Sequence, residues 1–461
     1  MSLKPKIVII GAGSASFGPS TLATIVRDGR LRGSELALVD FNEPALEIVA
    51  KVAQRMSDAW DADMRISAST NRRDVLPGAD FVIVSIEVPP REKLWRLDWE
   101  VPLKHGLRQA YAENGGPGGL MHACRQIPPF LDIVRDMEAL CPTAVLINFS
   151  NPLPRITRAV TKYSRINIVG KCHQIQLGYA LTAVLLRNRY HIPVPEAISL
   201  RSDPANTPIA HRLAAYGRQH IDIKSAGLNH FIWLVDVRDK LTGEDLYPAL
   251  RDALADAPPT LEPLSLDLFR AFDLLPIPGD THLVEYLPYG HNAQTRPWET
   301  YDLRLYDWDS NEASRDFMNH MLAEMAAGNL SVDGMRDAES EGAAELIAAI
   351  THNENYFDET VNIPNNGSIA GLPDETIVEV PAVISRLGVR GIQIGELPAG
   401  ITALLRREAE LVEMVVETAV TGNRHLALQT LLLDPMINDI GQARAILDDY
   451  LTTFAPYLPQ F

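Results

Sequence analysis

The sequence predicts an α/β protein: an N-terminal Rossmann-type, doubly wound parallel sheet followed by an α+β region. Three observations predict it. A β-branched run, KIVII at Lys6–Ile10, stops at a glycine-rich turn. Apolar runs then alternate with helical spacing over the first 200 residues or so, the rhythm of a parallel sheet with crossover helices. From residue 397 to the end the spacing is helical almost throughout.

In chain order, KIVII is the first strand and residues 20–27 a helix. Residues 35–39 form a second strand ending at Asp40, residues 44–60 a helix, and residues 80–86 a third strand. A helix at 127–140, a strand at 144–148, a helix at 155–163 and a strand at 167–171 follow. Six alternating strands would complete a dinucleotide-binding domain, residues 1–200. Residues 201–461 then form the α+β domain, closing over the first. Strands are expected near 226–237 and 376–382, a helix at 315–327, and a proline-rich loop at 257–263. Helices at 399–421, 425–433 and 439–453 end the chain.

The 461 residues carry a formal net charge of −17, which argues against nucleic acid or an anionic membrane as partner. No apolar run reaches the roughly 20 residues that span a bilayer. The N-terminal apolar stretch is broken by glycines and precedes no small-residue cleavage site, so a cytoplasmic location is expected. Cys124, Cys141 and Cys172 are too few and scattered for a disulfide framework, which fits a reducing compartment.

The turn GAGSASFG runs from Gly11 to Gly18. Gly11 and Gly13 permit a tight turn and close approach to a pyrophosphate. Ser14, Phe17 and Gly18 complete the loop that opens the helix, whose free N–H groups favour an anion. Asp40 stands 27 residues after Gly13, at the end of the second strand. A carboxylate there can bond ribose hydroxyls and would repel a 2′-phosphate, which points to NAD rather than NADP. The third glycine comes later than in the common G-x-G-x-x-G pattern.

Five further motifs go beyond a generic dehydrogenase: GGPGG at 115–119, NFSNP at 148–152, KCHQ at 171–174, GLNHF at 227–231 and GDTHLVEY at 279–286. In this order they resemble glycoside hydrolase family 4, along nearly the whole chain. The Cys-His pair and the Asp-x-His-x-x-Glu-aromatic segment resemble its branch acting on non-phosphorylated α-glycosides. The resemblance implies a lactate/malate dehydrogenase-like fold, NAD and a divalent metal (manganese foremost) as cofactors, and a dimer or tetramer. It also implies an elimination mechanism, an exception to two-carboxylate hydrolysis. A hydride leaves C3 for NAD, a base takes the acidified C2 proton, the glycosidic oxygen departs, water adds, and the hydride returns.

Carried onto this sequence, the resemblance makes Cys172 and His230 the metal ligands. Thiolate with imidazole suits Mn, Fe, Co or Ni better than Mg. Taken alone, each would read as an ordinary buried side chain. His173 takes the place of the proton donor to the leaving group, and imidazole suits that role near neutrality. Its plainer reading is a hydrogen-bonded neighbour of the metal site. Asp280 is the candidate C2 base, with helix capping as the alternative use of that carboxylate and Tyr286 in reserve. Glu113, Asn114, Asn151 and His282 are candidate sugar contacts, and His282 and Glu285 are equally candidates for the metal shell. Asn148 reads as a backbone tether or cofactor contact. Cys124 and Cys141 read as packing residues, Arg91 and Arg96 as a solvated face.

A 2-hydroxy-acid dehydrogenase would share the dinucleotide fold, but its Gly-x-His-Gly motif is missing and it has no use for a Cys/His pair. A non-catalytic sugar or NAD binder should have lost metal or base residues, and none is lost. Among sugars, α-galacturonides are the expected substrate, with α-glucosides, α-galactosides and α-glucuronides as alternatives.

Overall fold

The computed structural model describes residues 3–14, 18–196, 198–201 and 206–461. One sheet of 11 strands runs through it in the order β3-β2-β1-β4-β5-β6-β9-β10-β7-β8, with β11 pairing β10 off this path. Strands β1 (Lys6–Ile10), β2 (Glu35–Val39), β3 (Arg65–Ser69), β4 (Phe81–Val84), β5 (Val145–Asn148) and β6 (Asn167–Gly170) are parallel. This is the strand order of dinucleotide-binding sheets. Strands β7 (Ile221–Leu228), β8 (Phe231–Asp239), β9 (Tyr356–Pro364), β10 (Ile377–Ser385) and β11 (Gly388–Gly391) pair antiparallel. β6 joins β9 through a single pair, Gly170 with Asn362.

The apolar runs are continuous because both faces of the parallel half are covered. In β1, Ile7 and Ile9 enter one core, while Val8 and Ile10 enter the other. The same alternation divides Leu36 and Leu38 from Ala37 and Val39. The first core also takes Leu22 and Ile25 of helix α1 (Gly18–Arg27) and Val49 and Met56 of α2 (Glu43–Ala59). On the other face lie α4 (Gly116–Leu140) and α5 (Leu153–Tyr163), and the C-terminal helices Ala399–Thr421 and Ile440–Thr453 pack back on them. Cys124 and Cys141 sit in this second core as packing residues.

Three departures from the expected elements have physical causes. β3, RISAS, is an edge strand with no fully buried residue, so it carries no apolar run. It is the parallel strand that composition hides. The strand expected at 226–237 is a hairpin, β7 and β8, turning at Asn229 and His230. The charged stretch containing Arg91 and Arg96 is helix α3 (Arg91–Lys104), buried only at Leu94, Trp95, Asp98, Val101 and Pro102. No helix among the described residues is long and apolar enough to cross a membrane.

Candidate active site

The candidate residues gather at the carboxyl ends of β1, β2, β5 and β6, facing the β7–β8 turn. Open α/β sheets bind ligands at such ends. Gly11 has φ +88°, and a Cβ there would lie 2.0 Å from the Ser85 carbonyl oxygen, so only glycine fits. Asp40 Oδ2 accepts from Gly13 N at 2.8 Å, and Oδ1 accepts from Asn42 N at 2.9 Å. The carboxylate therefore braces the glycine turn and is only half-buried, with lone pairs to spare for a diol. Ser14 receives Gly18 N–H on its carbonyl at 3.2 Å, where α1 begins. Phe17 lies outside the described residues.

Two motifs meet at the next turn. Glu285 Oε1 accepts from the backbone N–H groups of Glu113 at 2.7 Å and Asn114 at 3.1 Å. A Cβ on Gly115 would come within 2.1 Å of the Glu285 carbonyl oxygen, which is why the turn there is glycine. The Glu113 carboxylate accepts from Asn114 Nδ2 at 2.7 Å and Asn151 Nδ2 at 3.0 Å. Burial raises its pKa, against the nearby His282. Asn148 bonds the backbone of Ser150, so it is a tether.

His230 is the centre of this group. Its Nε2 lies 3.3 Å from Cys172 Sγ, Asn114 Nδ2 is 3.0 Å from its Nδ1, and its ring stacks on His282 with centroids 4.5 Å apart. Tyr111 closes on the other side of His282 edge-on at 4.8 Å. Burial, with His282 and His173 nearby, drives the pKa of His230 well down, so its imidazole is neutral and keeps a lone pair. Burial, and after it the Glu379 carboxylate, pushes the Cys172 thiol up, so its thiolate needs a cation beside it.

A cation fits here. Two ligands of one ion at bond lengths of about 2.3 Å (S) and 2.1 Å (N) stand roughly 3.5 Å apart, close to the observed separation. His282 Nδ1 and Glu285 Oε2 are buried without a hydrogen-bond partner and face each other at 3.8 Å. Among the described residues, Glu113, His230 and His282 form the one group of three whose ligand atoms lie within 4.8 Å of one another. Two donor sets thus share His230: Cys172 in one, Glu113 and His282 in the other.

His173 stands at the mouth, its side chain 52% exposed and its Nδ1 2.9 Å from Glu341 Oε1. Burial opposes the imidazolium, but Glu341 outweighs it and raises the pKa. Glu341 is 168 residues away in sequence, and nothing in the sequence linked the two. Behind the site, Glu379 Oε2 accepts from Gln174 Nε2 and Asn229 Nδ2, each at 2.7 Å. It thereby ties the neighbours of His173 and His230 to β10, and it too escaped the sequence.

Asp280, the candidate C2 base, takes the helix-capping position. Its Oδ2 accepts from Leu264 N at 2.9 Å, and its Oδ1 from Ser265 N and Ser265 Oγ, each at 2.7 Å. The side chain is 2% exposed and caps the helix Pro263–Phe272. Oδ1 accepts two hydrogen bonds and Oδ2 one, so the carboxylate is oriented toward that helix. The hydroxyl of Tyr286, the reserve candidate, accepts from His230 N at 3.2 Å.

A family model described as family 4 glycosyl hydrolase matches residues 6–184, and that family's C-terminal domain model matches residues 225–437. An α-glucosidase of Erwinia rhapontici is 33% identical over 98% of this chain and 98% of its own. An α-galacturonidase of Bacillus subtilis is 27% identical over 97% and 96%. In fold, the Bacillus subtilis protein lplD superposes with a TM-score of 0.83 at 26% identity, covering 97% of this chain and 100% of that one. A 6-phospho-α-glucosidase from gut microorganisms, solved in complex with NAD and Mn2+, has the same fold, with a TM-score of 0.77 at 19% identity over 99% and 100%.

Proposed function

The chain belongs to the family 4 glycosyl hydrolases, and from that premise we propose that it hydrolyses non-phosphorylated α-glycosides, α-glucosides first, using NAD and a divalent metal ion, manganese. The observation that carries this reading is the 3.3 Å approach of Cys172 Sγ to His230 Nε2, with His173 at the mouth beside them. The glycine turn and Asp40 support NAD. Bound NAD supplies a reversible hydride acceptor for C3, and the metal supplies Lewis acidity at the neighbouring hydroxyls.

The protein's own groups do the rest. Cys172 and His230 would hold the metal, with Glu113 and His282 as neighbouring donors. Glu113, Asn114, Asn151 and His282 take the sugar hydroxyls. Tyr286 removes the C2 proton, and His173, charged against Glu341, protonates the departing oxygen. Residues 1–200 bind NAD in this reading, and residues 201–461 bring His230, the base and the subunit contacts. The thiol ligand and NAD fit the cytoplasm. Leu432, Leu433 and Ile440, exposed on the C-terminal helices, suit a homo-oligomer face.

The α-glucosidase relative at 33% identity supports putting glucosides ahead of galacturonides, whose enzymes match at 25–27%. Arg91 favours α-galacturonides as the second reading. Its guanidinium contacts Glu92 and Asn311 at 3.4 Å, lies 4.9 Å from the Trp95 ring centroid, and its charge is felt at Glu113. The test is a screen of 4-nitrophenyl α-glycosides and short galacturonides with NAD, Mn2+ and reductant. Turnover should need both cofactors and consume neither; net NADH formation would make the protein a dehydrogenase instead.

A further inference from the structure

The sheet parts where β6 meets β9. Past the single pair Gly170–Asn362, β9 stays with β10 while the chain leaves β6 through Lys171, Cys172 and His173. A cavity of about 410 Å3 occupies the gap, with Cys172 and His173 on one wall and residues 356–360 of β9 on another.

The charges in its walls do not balance. Two of its cations are neutralised: Lys171 Nζ by Asp358 at 2.7 Å, and Arg218 by Glu359. Glu341 is matched by His173. Glu339 bonds only the neutral amide of Gln176, at 3.1 Å, and Glu345 enters no ion pair among the described residues. Against those two carboxylates stands Arg27, which donates to the Arg336 carbonyl. The wall also holds Phe357, 42% exposed, beside Tyr356. A pyranose presents apolar C–H faces and a rim of hydroxyl donors, which an aromatic ring and unneutralised carboxylates suit in turn.

We propose that this cavity is the subsite for the leaving portion of the substrate, fitted to an uncharged sugar and hostile to an acidic one. The proposal rests on reading His173 as proton donor to the glycosidic oxygen, because a leaving group bound at that imidazole extends into this cavity. The enzyme then releases a neutral sugar from a disaccharide, and a uronic acid in the leaving position meets the excess carboxylates.

The test uses the full-length enzyme loaded with NAD and Mn2+ and whichever glycone the nitrophenyl screen identifies. That glycone is offered as its α-fluoride, whose leaving fluoride fills no subsite, then linked to glucose and to glucuronic acid. The kcat/KM for the acidic leaving sugar should be lower than for the neutral one by about tenfold or more. Phe357→Ala should raise KM for the neutral disaccharide by roughly tenfold while fluoride hydrolysis stays within about twofold. Glu345→Lys should shrink the neutral-to-acidic ratio, again sparing the fluoride. Equal rates for the two leaving sugars, or equal losses on fluoride and disaccharide, would overturn the subsite alone. A folded, NAD-loaded protein that cleaves neither fluoride nor nitrophenyl glycoside would overturn the glycosidase reading and the subsite with it.

Discussion

The thiol of Cys172 and the Nε2 of His230 stand 3.3 Å apart across 58 residues of sequence. The end of β6 carries one, and the β7–β8 turn carries the other. Cys172→Ser or His230→Ala should weaken Mn2+ binding by about 100-fold, the scale at which even supporting residues act on metal sites. NAD affinity should hardly change, because the glycine turn is built from other strands. Electron paramagnetic resonance of free Mn2+ and calorimetry with NAD would check the two halves separately. A double variant that keeps one tight Mn2+ site would rule out these ligands.

Asp40 has two duties, and a substitution should reveal both. It holds Gly13 N–H at 2.8 Å and offers its remaining lone pairs to a ribose diol. Asp40→Ala should weaken NAD by roughly tenfold, the loss of one or two charge-assisted hydrogen bonds. NADP should weaken less, so the NAD:NADP affinity ratio narrows. An unchanged ratio by calorimetry would confine Asp40 to bracing the turn.

His173 gives a prediction in leaving-group chemistry. Its imidazolium is matched by Glu341 Oε1 at 2.9 Å. His173→Ala should slow glycosides of poor leaving groups by about 10²–10⁴-fold, the usual worth of a general acid. The 4-nitrophenyl glycoside, which departs without a proton, should lose far less. Equal losses would return His173 to a merely structural place beside the metal.

Glu262 and Asp280 make stability depend on pH. Asp280 N donates to Glu262 Oε2 at 2.6 Å, and both carboxyls are buried. Burial, with Asp280 beside it, raises Glu262 to about 8. A carboxyl with a raised folded pKa is protonated in the native state and ionised in the unfolded chain between its two pKa values. Its contribution is therefore full below the ordinary value of about 4.5 and is lost as pH rises through about 8. Thermal unfolding should show Tm falling from pH 5 to pH 9, with a shallower fall in Glu262→Gln. Parallel slopes would mean that Glu262 is not the group responsible.

What the sequence made legible follows from how each signal is stored. Strands buried on both faces announce themselves, as Ile7 through Ile10 do, because every residue meets a core. β3 was silent because an edge strand need bury nothing. Cys172, His230 and the glycine turn were legible because they sit in local motifs. Glu341 and Glu379 were not, since their partners His173 and Gln174 lie 168 and 205 residues away in sequence, with no local pattern to mark them. Asp280 is ambiguous for the opposite reason. Its motif was recognised, but a carboxylate at a turn serves a helix N-terminus as readily as a substrate, and only the donors Leu264 N and Ser265 N decide which.

That distinction carries the sharpest prediction, the identity of the C2 base. An elimination breaks the C2–H bond, so product formed in D2O should carry deuterium at C2, whereas a two-carboxylate hydrolase leaves that carbon unlabelled. Tyr286 has its hydroxyl 3.2 Å from His230 N, beside the proposed metal ligand, while both Asp280 oxygens are held by the helix Pro263–Phe272. Burial raises the Tyr286 phenol well above its ordinary value, so it acts as a base only once ionised to the phenolate, which a metal ion held at His230 would favour. Tyr286→Phe should lower kcat by about 10²–10⁴-fold and abolish C2 exchange, yet still permit hydride transfer from C3, visible as NADH absorbance in a single turnover. Asp280→Asn should keep C2 exchange and lose Tm instead, because the amide replaces an acceptor that faces backbone donors. If Asp280→Asn stops exchange while Tyr286→Phe does not, the helix cap opens on substrate binding and the base is Asp280. Unlabelled product from an active enzyme would reject elimination altogether.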